Sequence, residues 1–337
     1  MDNRYARHIR LMGFGEPAQE ALSKARVLLV GCGGLGCPAG MYLARSGVGT
    51  LGLLDADVVS LTNLHRQVLF NEEHVGRPKS TVAKEMLLKA NSQVEVTDLQ
   101  QRLDTSNWRR ILSDYDVILD CSDNFTTRYL VNDACVLLDK PLVYGAANQF
   151  EGQVAVFNHN GSGNLRDLFP EKPKPGVIQN CEEAGVLGVI TGIIGEFMAL
   201  EAIKLITETG DLLTNQLVTF DGLGFGIHRI KYAVRPDTHI PDLTVQKKEL
   251  MALTWDEVAQ SETSWKLVDV RSEKERQEVS KGGVHIPLDQ ISEQMDVLGE
   301  ETSVLFYCKT GGRALQAAEM LADAYNQTTI GYVRDTL

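Results

Sequence analysis

At 337 residues the chain exceeds the ~250–300 residues at which a single hydrophobic core stops growing, so two modules are expected. Its 33 Lys and Arg against 45 Asp and Glu leave a net charge of −12, which argues against nucleic acid or an anionic membrane surface as the main partner. The six cysteines, Cys32, Cys37, Cys121, Cys135, Cys181 and Cys308, are scattered without a CxxC pair; this excludes a disulfide framework and a cysteine-rich zinc site, and fits reduced thiols in the cytoplasm.

The N-terminal segment MDNRYARHIRLMG has no apolar leader. Short apolar runs then alternate with helix-like segments. Val27–Val30, Leu51–Leu54, Val117–Leu119 and Leu142–Tyr144 read as strands, and Leu35–Ser46, Ser80–Ala90 and Phe125–Asp139 as helices. That alternation predicts a parallel sheet covered by helices. Gln153–Phe157 and Gln216–Phe220 read as further strands, and Gly161–Asn180, rich in Gly, Pro, Asn and Lys, as a crossover or lid that ends beside Cys181. The apolar stretch Gly185–Leu205 contains Glu196, Glu201 and Lys204 and reads as a buried or interface helix, not a membrane span. A linker with Pro236 and Pro241 follows, so the domains are placed at 1–234 and 249–337 with residues 235–248 between them. The second domain restarts the alternation with strands Lys266–Val270 and Val304–Tyr307 and a helix Arg313–Ala324.

Directly after the first strand, Gly31-Cys32-Gly33-Gly34-Leu35-Gly36 matches G-x-G-x-x-G, and Asp55 closes the second strand about twenty residues on, where a carboxylate can take ribose hydroxyls. Glycines let the backbone approach a phosphate, and the following helix offers free N–H groups. Asn63, Arg66 and Lys79 then supply a cluster that a triphosphate requires and a dinucleotide seldom does. Taken singly, each cation reads more readily as a solvated surface charge. The strand Val117–Leu119 runs into Asp120-Cys121-Ser122-Asp123-Asn124, at the sheet edge where such folds bind ligands. Asp123 could hold magnesium between phosphates or cap the next helix, and Asn124 could cap it equally well.

Seven segments occur in the order found in the MoeB/ThiF/HesA family, relatives of ubiquitin-activating enzymes: Arg4–Ile9, the glycine loop, Leu54–Asp57, Thr62–Gln67, Gly76–Lys79, Cys121–Asn124 and Glu151–Gln153. The chain resembles that family over about residues 3–233. The resemblance implies a Rossmann-like doubly wound α/β fold, mainly parallel with antiparallel additions, and ATP-dependent adenylation of the carboxylate of a ubiquitin-like sulfur-carrier protein ending in Gly-Gly. It places Gly31, Gly33, Gly34, Gly36 and Asp55 on the nucleotide, Asn63, Arg66, Lys79 and Asn124 near its phosphates, and Asp123 on magnesium. It also implies a homodimer in which Arg7 reaches the neighbouring site. No general base is needed, because a carboxylate is an ionised nucleophile at neutral pH.

The family's two CxxC pairs for zinc are replaced here by Gly163–Asp167 and Arg235–His239, so no zinc site is expected. Cys181 stands where several relatives carry a cysteine that forms a covalent bond to the carrier; as read from the residues, it fits a buried structural thiol as well.

In the second domain Cys308-Lys309-Thr310-Gly311-Gly312-Arg313 follows an apolar strand and precedes a helix. Successive N–H groups in such a loop cradle an anion at the cysteine. Cysteine phosphatases place one residue more between cysteine and arginine, and this tighter loop resembles a small α/β rhodanese-like sulfurtransferase domain. Leu267–Arg271 and His285–Leu288 resemble that family's other segments, with Asp269 and Arg271 read as a structural pair. Sulfur from a persulfide donor such as a cysteine desulfurase would pass through Cys308 to the carrier as a thiocarboxylate. The rival readings are an NAD-dependent oxidoreductase on the same glycine loop and a non-catalytic binder of a ubiquitin-like partner.

Overall fold

The computed structural model describes residues 3–171, 185–241, 243, 250–291, 298, 303–324 and 329–335, so Cys181 lies outside the described residues. The chain divides into two compact units, Met1–Leu243 and Thr244–Leu337.

The first unit is built on an eight-stranded sheet of order β3-β2-β1-β4-β5-β6-β7-β8. Strands β1 (Arg26–Val30), β2 (Thr50–Leu54), β3 (Glu95–Leu99), β4 (Val117–Asp120) and the start of β5 (Leu142–Asn148) pair in parallel. β2 and β4 are buried along their whole length, as expected of strands covered by helices on both faces, and unbroken apolar runs are what made them readable. β3 was missed for the same reason in reverse: it is an edge strand whose sequence, EVTDL, has two carboxylates and only one fully buried side chain. Beyond β5 the chain turns back through antiparallel β6 (Glu151–Phe157), β7 (Gln216–Asp221) and β8 (Gly226–Lys231). β8 is exposed at all but its first residue, so no burial pattern marked it.

Helices fill both faces. α3 (Gly36–Ser46), α4 (Lys79–Ala90) and α8 (Gly188–Thr207) share one core with Leu29, Leu51, Leu119 and Val143, while α5 (Trp108–Leu112) and α6 (Phe125–Leu137) share the other with Leu28, Ile118 and Tyr144. The segment expected to be a buried helix is α8: it packs on α2 (Gly15–Lys24), α3 and β4 to β6, and its buried Glu201 takes the Leu213 N–H and pairs with Lys204. Among the described residues no helix is long and apolar enough to cross a membrane. α6 ends at Leu137, two residues short of expectation, because Asp139 turns to φ +52°.

The second unit has a parallel five-stranded sheet of order β11-β10-β12-β13-β9, formed by β9 (Met251–Leu253), β10 (Lys266–Asp269), β11 (Val284–His285), β12 (Ser303–Tyr307) and β13 (Thr329–Val333). α9 (Trp255–Gln260) and α10 (Glu273–Glu278) each begin with a capping box, Thr254/Glu257 and Ser272/Glu275. α11 (Gly312–Ala324) lays Ala314, Ala317, Ala318 and Leu321 on Val268, Val304 and Phe306, the spacing of one helix face. β9, β11 and β13 were not anticipated, being three, two and five residues long and exposed at their first residue.

Candidate functional site

In the first unit the register of the parallel strands brings three loops to one edge. Val30 lies opposite Leu54 and Asp120, so the residues that follow β1, β2 and β4 emerge side by side where the strand order reverses. Gly31 takes φ +101°, and a Cβ there would stand 2.8 Å from the Cys121 carbonyl oxygen. A Cβ on Gly36 would collide with the Gly31 carbonyl, so these two glycines allow the loop to close onto the start of α3. Gly34 abuts the Thr191 side chain near the start of α8, and Gly33 faces the side-chain amide of Gln67.

Asp55 holds this loop from below. One carboxylate oxygen accepts from the Cys32 N–H at 2.8 Å and the other from the Asp57 N–H at 2.8 Å. Burial raises its pKa, with the Cys32 N–H and Lys79 opposing. Lys79 is not the solvated cation that its residue type alone allowed: it is 8 % exposed, at the start of α4, and its ammonium reaches Asp57 at 3.1 Å. Arg66 differs. It is half-buried, and among the described residues its guanidinium meets no carboxylate, only the Thr62 carbonyl at 3.2 Å and His65 Nε2 at 2.8 Å. Asn63 is buried and its side-chain oxygen takes the Ser60 N–H, which fixes the turn that carries Arg66. Arg7 is exposed.

At the end of β4 the helix cap is Asn124, whose side chain accepts from the Thr127 N–H at 2.9 Å; Asp123 is left exposed and takes no part in the cap. Sequence reading left this choice open. It missed Arg128, one turn into α6. This buried guanidinium lies 3.5 Å from the fully buried Asp120, donates to the Ser122 carbonyl at 3.0 Å, and covers the Tyr144 ring at 5.0 Å. Burial raises the Asp120 pKa, and Arg128 pulls it back. The available signal was an arginine four residues after a cap, on the face that meets the sheet. Gln67, 3 % exposed with its carbonyl oxygen unpartnered among the described residues, was also missed.

Further along, α6 anchors the first part of the expected crossover. Asp133 takes both prongs of Arg166 at 2.7 Å, Asn132 accepts the Leu165 N–H, and Tyr129 donates to the carbonyls of Phe169 and Glu171. The two stretches that lack cysteine pairs meet through Asp167. Its buried carboxylate accepts from the N–H groups of Asn164 (2.8 Å) and Arg235 (2.9 Å) and from the Thr238 hydroxyl (2.5 Å). Among the described residues no group of three or more His, Cys, Asp or Glu could hold a metal ion. Cys32, Cys121 and Cys135 have thiol pKa values raised well above the ordinary range by burial, and Cys37 is pushed up to about 12, so none is a nucleophile at neutral pH.

In the second unit Cys308 follows β12, the central strand, and is buried against Val268, Phe306 and Ala314. Lys309 and Thr310 are exposed, Gly311 turns at φ +81° against the Arg334 carbonyl, and Gly312 opens α11. Arg313 makes a two-pronged pair with Glu275, at 2.9 and 2.6 Å. Asp269 and Arg271 pair in the same way, at 2.8 and 2.7 Å, both buried; this is the structural pairing expected of them.

Comparison with known proteins separates the same two parts. A ThiF family model matches residues 5–240 and a rhodanese-like domain model matches residues 248–334. The chain is 37% identical over 371 residues to the adenylyltransferase and sulfurtransferase MOCS3 of Culex quinquefasciatus, covering 98% of this chain and 84% of that protein. It is 39% identical over 340 residues to the probable adenylyltransferase/sulfurtransferase MoeZ of Mycobacterium tuberculosis, covering 93% and 86%. Among solved structures, E. coli MccB crystallised with ATP is similar at TM-score 0.61 and 25% identity, over 71% of this chain and 74% of that one.

Proposed function

The chain belongs to the ThiF family and carries a rhodanese-like second domain, an enzyme with an adenylyltransferase and a sulfurtransferase module, and from this we propose that it adenylates the Gly-Gly carboxylate of a ubiquitin-like sulfur carrier and then sulfurates it. One observation carries the reading: the glycine loop, Asp55, Lys79 and Asp123 converge on the edge where the order of β1 and β4 reverses.

ATP lies with its phosphates along Gly31–Gly36 and its ribose toward Asp55. Arg66, which meets no carboxylate among the described residues, approaches the phosphates directly, whereas Lys79 must share itself with Asp57. Asn63 and Asn124 border the same phosphates. An exposed Asp123 released from capping suits magnesium, which takes one or two carboxylates and completes its shell with phosphates and water. When bound, the ion would supply charge neutralisation. Burial of Asp55 and Asp120 keeps the floor of the site rigid, so positioning and charge cancellation do the chemical work. The carrier carboxylate attacks the α-phosphorus, and the bond to the departing pyrophosphate breaks.

Cys308 accepts sulfur from a persulfide donor such as a cysteine desulfurase. Its terminal sulfur attacks the acyl-adenylate and AMP leaves, forming an acyl disulfide; a second thiol then reduces this link and frees the thiocarboxylate. Cys181 is the candidate for a thioester or acyl-persulfide with the carrier. Arg7 completes the site of a second copy in a homodimer. Exchange of labelled pyrophosphate into ATP, dependent on a Gly-Gly-ended carrier, is the expected result. Nicotinamide dinucleotide binding without exchange would replace this reading with an oxidoreductase, and carrier binding with neither would leave a non-catalytic scaffold.

A further inference from the structure

The Cys308 loop contributes two cations, Lys309 and Arg313, and Lys309 is exposed with no partner among the described residues. Arg313 gives both prongs of its guanidinium to Glu275, which belongs to α10 and not to the loop. Glu275 is set in place independently of this partner. Its carboxylate accepts from the Ser272 N–H (3.0 Å) and hydroxyl (2.8 Å), and its carbonyl takes a guanidinium N–H of Arg271 (3.1 Å), itself locked to buried Asp269. A carboxylate fixed in this way both orients the guanidinium and cancels its charge.

We infer that Glu275 determines the specificity of the Cys308 loop: by occupying Arg313 it denies the loop the free guanidinium fork that a phosphate-like dianion needs, and leaves a cradle fitted to a singly charged sulfur. This inference rests on reading the loop as an anion cradle. A tetrahedral dianion offers two oxygens at the spacing of a guanidinium edge, so an unpaired Arg313 would capture it. A thiolate or persulfide has no oxygens and at most one charge, and loses nothing when the fork is taken. Arg313 is also near enough to Cys308 for their charges to interact; its pKa is raised by the Glu275 hydrogen bonds first and by the Cys308 charge to a lesser degree.

The test is Glu275→Gln in the full chain. Glutamine at this helix position keeps the capping box, so the change removes charge and little else. Alkylation of Cys308 by iodoacetamide, read by mass spectrometry, is followed over a pH series with and without inorganic phosphate. The variant should be protected by phosphate at a concentration about ten-fold or more lower than the parent, the effect of one charge-assisted contact. Its alkylation midpoint should fall, because a freed Arg313 favours the thiolate. Adding Arg313→Gln should abolish both gains. Unchanged protection and midpoint in Glu275→Gln, or gains that survive the second substitution, overturn the inference. If Glu275→Gln does not fold, Arg313→Lys serves, since one ammonium cannot satisfy both carboxylate oxygens: its midpoint should rise, and an unchanged midpoint is equally fatal. The underlying reading fails in a different way, by Cys308 in the parent resisting alkylation at every pH.

Discussion

The glycine loop after β1 and the cysteine loop after β12 occupy equivalent places, each at the carboxyl end of a parallel strand with neighbours on both sides and each leading into a helix. Around the first, half-buried Arg66 has no carboxylate partner among the described residues, and Lys79 is shared with the exposed Asp57. Around the second, the arginine is fully engaged by a carboxylate held in advance. On the proposed function, the same backbone device, N–H groups at a strand-to-helix turn, would serve different anions according to how much side-chain charge is left unspent. A triphosphate that must shed pyrophosphate needs free cations; a lone sulfur anion is served by the backbone alone.

If the two loops are chemically independent, Cys308→Ser should eliminate sulfur transfer to the carrier while ATP–pyrophosphate exchange continues at the parental rate. Loss of both would break the comparison. Arg128→Ala should be the most damaging to stability, because it strands the fully buried Asp120: a loss of about 3–5 kcal/mol is expected in urea unfolding of the first unit, with the second unit's transition unmoved. Burial raises the pKa of Asp120 in the fold, so its charged form costs stability above that pKa. The deficit of the variant should shrink as pH falls and the carboxyl protonates.

Lys79→Ala should lower exchange by about 10²–10³-fold, the range for removal of one preorganised charge-stabilising group. A change below about three-fold would mean that the Asp57 pair is only structural. Asp167→Ala leaves buried donors from Asn164, Arg235 and Thr238 without an acceptor and should cost about 1–3 kcal/mol. Chelator should leave parent and variant unfolding unchanged, which a metal clasp would not. Smallest is the effect of acid on the second unit. The Glu275 pKa is lowered by Arg313, then by the Ser272 hydroxyl and N–H, so its contribution is complete above the ordinary carboxylate pKa of about 4.3 and fades as pH falls below it. The parent should lose more stability than Glu275→Gln over that window, measured by thermal unfolding.

The residues that announced themselves did so by type and spacing. Buried strands β1, β2, β4 and β12 are continuous apolar runs, the glycine loop has a spacing that few other structures need, and Cys308 stands between such a strand and a glycine turn. What escaped was fixed by neighbours distant in the chain. Edge strands β3 and β8 have one covered side or none, so their composition carries no periodic signal.

From the order of its motifs alone, the chain specified a doubly wound first unit, a glycine loop with its carboxylate, and a cysteine loop in a second α/β unit, because these depend on local backbone geometry. Only the tertiary structure decided which charges remain available. It buried Lys79 beside Asp57, gave the helix cap to Asn124 and left Asp123 outside it, set Arg128 over Asp120, and closed Glu275 on Arg313 from 38 residues away. Pairing of charges depends on distance in space and on lost contact with water, and neither quantity is written in the spacing of residues along a chain.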